Sequence, residues 1–213
     1  AAQAPSGENC QPWRFEIRDS EIRIFNIPER DQSLYNYGQM ASYVAHGALV
    51  ENIIIASSVF GYRARYKLFP DEKDMNLVVA VYFEKDALAQ DPLYPYIQTR
   101  CTNRKPYHIA PFSADQSVAL MAVEGRVEGV KLILIQDREK IDILARAGSV
   151  NEQVMLGNQF LHNFFFTHVN WTQEEEERKR VGFYSKTLEL PPPAHILFKI
   201  FRHWSVMRIL KLL

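Results

Sequence analysis

Hydrophobic and polar positions alternate most clearly near the start of the chain. Phe15, Ile17, Ile22 and Ile24 are separated by charged residues around a short Asp19-Ser20 turn, which predicts a β-hairpin over residues 14–27. The period then lengthens. Residues 40–60 carry Val44, Leu49, Ile53, Ile54, Ile55 and Val59 and run into Gly61, the pattern of a long helix with a glycine C-cap. That helix is apolar nearly all round, so it is expected to be central and packed on more than one side. Residues 62–69 and 76–83 read as two strands about a Pro70-Asp71 turn. The second, Leu77-Val78-Val79-Ala80-Val81, is an unbroken apolar run suited to a sheet interior.

Further on, an apolar helix is expected from Ser117, a strand over residues 130–135, and a helix over residues 151–168 with Phe160, Phe164, Phe165 and Phe166 mostly facing the core. Thr172-Gln173-Glu174-Glu175 has the form of a capping box. Behind it, Glu174, Glu175 and Glu176 stand one turn before Arg178, Lys179 and Arg180, a solvated charged face. Pro191-Pro192-Pro193 breaks the chain before a last helix. There Leu197, Phe201, Trp204 and Met207 form a stripe, with Lys199, Arg202, Arg208 and Lys211 elsewhere. Such a basic amphipathic helix can lie on a membrane; we expect this one to be packed.

Composition narrows the class. Of 213 residues, 47% are hydrophobic and 12% aromatic, enough for a packed interior. Lys plus Arg and Asp plus Glu number 25 each, which gives no global case for nucleic acid or an acidic membrane. Two cysteines, Cys10 and Cys101, argue against a disulfide scaffold. Without a signal peptide the expected location is the cytoplasm. His162 and His168 lack a third ligand at metal-binding spacing, and no P-loop, G-x-G-x-x-G, H-E-x-x-H, C-x-x-C or G-x-S-x-G is present.

Two stretches carry candidate chemistry. In Ala4-Pro5-Ser6-Gly7-Glu8-Asn9-Cys10-Gln11-Pro12-Trp13-Arg14-Phe15, the carboxamides of Asn9 and Gln11 stand two residues apart. In extended chain they point to the same side, and each offers a donor and an acceptor. The pair suits a planar heterocycle whose edge alternates C=O, N–H and C=O; equally, it suits a polar loop that satisfies its own backbone. The second stretch, Thr99-Arg100-Cys101-Thr102-Asn103-Arg104-Lys105-Pro106-Tyr107, holds three cations and two hydroxyls beside the cysteine, in a region, residues 92–114, without an acidic residue. It forms an anion site if these converge, and a solvated basic loop if they do not.

The first stretch, A-P-S-x-x-N-x-Q-P-W-x-F, resembles the flavin-contacting motif of the nitroreductase family. The second, R-x-[ST]-x-R followed by Pro and Tyr, resembles the family's phosphate-gripping signature. The resemblance implies that Pro5, Ser6, Asn9 and Gln11 lie against FMN and that Arg100, Thr102 and Arg104 hold its phosphate. It implies an α+β nitroreductase-like fold, and FMN chemistry in which NAD(P)H reduces the flavin and a nitroaromatic, quinone or other small-molecule acceptor takes the electrons, with no catalytic side chain and no metal. The long helix would then form much of a dimer interface. A flavin-storing protein with a covered site is the rival class. A purely structural remnant is a third.

The order of the motifs is reversed relative to single-domain members. This implies two fused halves, 1–91 and 92–213, a pseudo-dimer within one chain with one FMN at its seam; a higher oligomer is compatible. Residues 171–193 resemble the tandem, Acg-like branch of the family. The expected strand over residues 130–135 arrives without a second N-x-Q-P-W. A chain that opens inside the first motif and closes on Leu212-Leu213 in a helical pattern is expected to be a fragment, trimmed at both ends.

Overall fold

The computed structural model describes residues 1–87, 89–124 and 129–210. Its chain order is β1 (Trp13–Arg18), β2 (Glu21–Asn26), α1 (Met40–Val59), β3 (Tyr62–Leu68), β4 (Leu77–Lys85), α2 (Tyr96–Thr99), α3 (Ala114–Met121), α4 (Arg138–Gly157), α5 (Gln159–Thr167), β5 (Val169–Asn170), α6 (Gln173–Lys179), β6 (Phe183–Tyr184), α7 (Pro192–Phe201) and α8 (Trp204–Leu210), with short 3-10 turns between some of them. Helix and strand are mixed, as an α+β chain requires. Two compact units result: Ala1–Asn103 with His168–Leu188, and Arg104–Thr167 with Glu189–Leu213.

The first unit is built on a four-stranded antiparallel sheet in the order β1-β2-β4-β3. Here the hairpin, α1 and both strands fall where hydrophobic period places them. β4 is an interior strand, with residues 77 to 81 all buried, because the run Leu77-Val78-Val79-Ala80-Val81 leaves no polar position for solvent. A register shift at Ile24/Phe25 lets Ile24, Phe25 and Asn26 all be buried in succession, against the strict alternation of an ideal strand. On the sheet, α1 packs Ala45, Leu49 and Val50 onto Ile24, Val79 and Val81, with Trp13 and Ala4 closing the cluster. Along β3, Arg63, Arg65 and Lys67 alternate with Tyr62, Ala64 and Tyr66. Arg63 pairs with Asp86 at 2.6 Å and Arg65 with Glu84 at 3.5 Å. Along β1, Arg14 and Arg18 flank Glu16 at 2.6 and 3.2 Å.

Helix α1 differs from expectation in one respect. Over its N-terminal half it buries one face and leaves Val44 75% exposed, while residues 52–59 are buried or half-buried all round, Ile55 among them. An apolar composition sets how much surface a helix offers, and its neighbours set how much is covered.

The second unit is helical. Residues 130–135, expected as a strand, are irregular; Val130 and Ile133 are exposed. Among the described residues no strand lies beside them to complete a ladder, and an apolar run without a partner has no hydrogen-bonding reason to extend. The helix expected over residues 151–168 is instead α4, which begins at Arg138, and α5, which ends at Thr167. Asn158 divides them. Its Oδ1 accepts from the N–H groups of Phe160 and Leu161 at 2.9 and 3.2 Å, so it serves as the N-cap of α5. Phe160 is exposed, but Phe166 is buried, and Phe164 and Phe165 are half-buried. The last helix is likewise two, α7 and α8, broken at Arg202-His203; Lys211, Leu212 and Leu213 lie outside the described residues. His162 is fully buried. It donates from Nε2 to the Phe201 carbonyl at 2.7 Å, and its ring lies tilted against Phe166 and edge-on to Trp204. Among the described residues no helix is long and apolar enough to cross a membrane.

His46, on the buried face of α1, donates from Nδ1 to the Ser42 carbonyl at 2.7 Å and stands edge-on to Trp13. Burial holds its pKa below the ordinary histidine value, opposed by the Ser42 and Phe25 carbonyls.

Two outcomes follow from this packing. Leu49→Ala should cost about 2–5 kcal/mol in urea unfolding, since Leu49 has no exposed surface, whereas Val44→Ala should be nearly neutral. A depressed histidine pKa means the unfolded state binds the proton first. Stability from neutral His46 is therefore full above the unfolded value of about 6.5 and falls as pH drops below it. His46→Leu should flatten that part of a stability-against-pH curve; an unchanged slope between pH 7 and pH 5 would show that His46 does not titrate on unfolding.

Candidate functional site

Pro5, Ser6, Asn9 and Gln11 sit on the loop that leads into β1. Extended chain was expected between the two carboxamides. The loop instead coils, with Glu8, Asn9 and Gln11 all at positive φ (49°, 53° and 47°). Non-glycine residues rarely take this region, and each such residue stores strain that surrounding contacts must offset. The contacts are identifiable. Ser6 Oγ accepts from Gln11 N at 3.0 Å, Arg30 Nη1 donates to the Gln11 carbonyl at 3.1 Å, and Trp13 N closes on the same carbonyl at 2.8 Å. Pro12, fully buried, keeps Gln11 out of right-handed helical geometry.

Below the loop is a buried polar cluster at the N-terminus of α1. The Asp31 carboxylate, 4% exposed, accepts from Ser42 Oγ at 3.2 Å and from Ser33 N at 3.3 Å. Asn36 donates to the Asp31 carbonyl and to Ser42 Oγ at 2.9 and 3.0 Å, and accepts from Ser42 N at 3.1 Å. Asn36 thus satisfies one of the orphan donors of the first turn, and the carboxylate lies where the helix dipole favours an anion. A Cβ on Gly7 would meet Asp31 Oδ2 at 3.7 Å, so the loop rests on this cluster. Cys10, also buried, has its thiol pushed up to about 12 by burial and the nearby Asp31 charge; it is a packing group, with no thiolate chemistry near neutral pH.

Above the loop lies the His168–Leu188 segment of the same unit. Although the loop is not extended, both carboxamides reach one atom there: Asn9 Nδ2 and Gln11 Nε2 donate to the Arg180 carbonyl at 3.4 and 3.3 Å. Gly182 N donates to the Glu8 carbonyl at 2.7 Å, and His168 Nε2 faces Glu8 Oε2 at 3.5 Å. Burial raises the Glu8 carboxyl above its ordinary value, the facing His168 lowers it, and Asp31 raises it.

Residue types explain why the segment takes this path. Thr172 Oγ1 caps α6 by accepting from Glu175 N at 3.2 Å. The Glu175 carboxylate takes Trp171 N at 2.7 Å, one residue before the position a capping box would give. Arg180 ends α6 in the left-handed region, φ 55°, turning its carbonyl off the helix. Gly182 has φ 87°, and a Cβ there would collide with the His168 carbonyl oxygen, so only glycine fits.

The second motif is placed differently. Arg100 is the C-cap of α2, and Arg100, Thr102 and Arg104 are all exposed in the irregular run after it. The boundary between the two units falls between Asn103 and Arg104. A shallow hollow of about 410 Å³, lined by Phe60, Gly61, Tyr62, Lys85, Asp86 and Ala87, opens at the C-terminal end of α1, and none of the motif residues lines it. Sequence reasoning missed Glu8, Asp31, Arg180 and Gly182. The trace available for Gly182 was a glycine just beyond the charged helix; the Arg180 contribution is a main-chain atom, which residue identity does not record.

Two amide N–H groups converge on one carbonyl oxygen, so the donor set has the chemistry to hold a carbonyl acceptor. Comparison with known proteins adds a second line. No family model matches the chain. It is 26% identical over 175 residues to the protein MT1398 of Mycobacterium tuberculosis (strain CDC 1551 / Oshkosh), covering 80% of this chain and 24% of that protein. It is 26% identical over 134 residues to "Putative NAD(P)H nitroreductase MT3217" of the same strain, covering 62% of this chain and 39% of that protein. "Putative NAD(P)H nitroreductase Rv3131" of strain ATCC 25618 / H37Rv gives the same figures. The chain spans well under half the length of each of these relatives. At that distance, the chain is similar to proteins named as NAD(P)H nitroreductases.

Proposed function

We propose that this chain is part of an FMN-binding oxidoreductase of nitroreductase type, which uses NAD(P)H for two-electron reduction of nitroaromatic or quinone-like acceptors. The observation that carries the reading is the meeting of the Asn9 and Gln11 amide donors at a single carbonyl oxygen, at 3.4 and 3.3 Å. A flavin pyrimidine carbonyl calls for the same arrangement. The similarity to proteins named as NAD(P)H nitroreductases supports it.

Bound FMN supplies the hydride chemistry, and the protein supplies placement and electrostatics. In this reading Asn9 and Gln11 hold the acceptor edge of the ring. Ser6 fixes Gln11 through its backbone N–H, and Pro5 shapes the entry to the loop. Arg100, Thr102 and Arg104 are the proposed phosphate ligands: two guanidinium forks matched to phosphate oxygens and one neutral hydroxyl. No side chain acts as acid, base or nucleophile, and Cys10 is kept protonated by its burial. Each motif occurs once, so the proposal is one flavin per chain, in a protein descended from two fused halves, 1–91 and 92–213, of the tandem branch. A second reading, a flavin-storing protein, is favoured by the hydrogen bonds that tie the His168–Leu188 segment to the motif loop.

Purified protein loaded with FMN should show a flavin absorbance band that NADH or NADPH bleaches and a nitroaromatic or quinone restores. A band indifferent to both nicotinamides would favour storage. Arg100→Ala and Arg104→Ala should each weaken FMN binding about ten-fold in a fluorescence titration, the loss expected for one charge-assisted hydrogen bond. Unchanged affinity in both would remove these residues from the site.

A further inference from the structure

We propose that the His168–Leu188 segment is a built-in competitor for the flavin edge: the Arg180 carbonyl and the Gly182 N–H take the hydrogen bonds of the motif loop that the ligand needs. The inference rests on the flavin reading above and adds a regulation of the same site.

The chemistry of the contact is that of a ligand mimic. Arg180 presents an acceptor to two amide donors, and two residues on Gly182 presents a donor to the Glu8 carbonyl at 2.7 Å. An acceptor beside a donor, on a planar conjugated edge, is also what a pyrimidine ring offers. Position strengthens the mimicry, since Arg180 caps the C-terminal end of α6 and carries the partial negative charge of a helix terminus.

The side-chain part of the contact is also built to exchange. At 3.4 and 3.3 Å the two amide bonds are long, and both are solvent-exposed. The His168–Glu8 pair, at 3.5 Å with both side chains partly exposed, adds little. By contrast the segment is firmly tied to itself. Asn170, 1% exposed, donates from Nδ2 to the Val181 carbonyl at 2.8 Å and to Glu176 Oε2 at 2.6 Å. Phe183 N donates to the His168 carbonyl at 3.0 Å, and β5 pairs with β6. The two amide contacts are thus the loose part of the attachment, the Gly182–Glu8 bond at 2.7 Å is its firm part, and release of the loop turns on breaking that one bond while the segment keeps its own ties.

Two measurements on the full chain test this. Hydrogen exchange of the Gly182 amide, followed with and without saturating FMN, should speed up at least ten-fold when FMN binds, because its acceptor on Glu8 is lost. Gly182→Ala, which cannot take the same path past the His168 carbonyl, should bind FMN about ten-fold more tightly than the parent. FMN binding that leaves Gly182 exchange unchanged or slower would overturn the competitor and leave the flavin reading standing. Equal or weaker FMN binding by folded Gly182→Ala would do the same. FMN binding by neither protein would overturn both.

Discussion

A buried carboxylate is the constraint on which the rest of the first unit depends. Asp31 lies 4% exposed at the N-terminus of α1, and a charge so placed is tolerated when its lone pairs are satisfied. Ser42 and Ser33 do this work, while Asn36 holds the Asp31 main-chain carbonyl, and together they fix three things: the start of the helix, the loop that precedes it, and the floor on which Gly7 and Cys10 rest. The helix in turn holds the sheet through Leu49 and Val50. Loop, helix and sheet therefore share one polar anchor, and the strained residues Glu8, Asn9 and Gln11 keep their left-handed geometry because what surrounds them is fixed.

Strain at the loop has a functional side. Three non-glycine residues with positive φ within four positions carry a conformational cost that an ordinary turn would avoid. What the loop gains is convergence. Extended chain would set the Asn9 and Gln11 side chains parallel and apart, whereas the coiled loop turns both toward one acceptor. Convergent donors are what recognition of a single oxygen requires, so the deviation from extended backbone accompanies the binding geometry.

Much of the first unit was legible because its elements obey one period each. The hairpin alternates, α1 repeats on a helical spacing to a glycine stop, and β4 is apolar without interruption. Legibility failed where a single side chain redirects the backbone. Asn158 reads as one more polar residue in a helical stretch, yet it ends α4 and caps α5. Residues 130–135 have every local mark of a strand and, among the described residues, lack a neighbouring ladder. At the site, the motif residues were readable by type, since amides and guanidiniums announce hydrogen bonding. Their partners were not: the Arg180 carbonyl belongs to the backbone, and its approach depends on a left-handed residue and a glycine in a segment far along the chain.

The charge pattern on the outer strands has a consequence for how the sheet meets other sheets. Among the described residues β1 and β3 are the outer strands of the sheet, and an outer strand offers a row of backbone donors and acceptors, the usual template for strand addition. Arg14, Glu16 and Arg18 line one of these strands, and Arg63, Arg65 and Lys67 the other, a charge at every second residue. A further strand approaching edge-on must strip water from these charges before a ladder can form. Exposed Ile17 and Tyr66 thus sit on edges that disfavour self-templated growth, and the sheet gains colloidal protection from the same residues that solvate its open face.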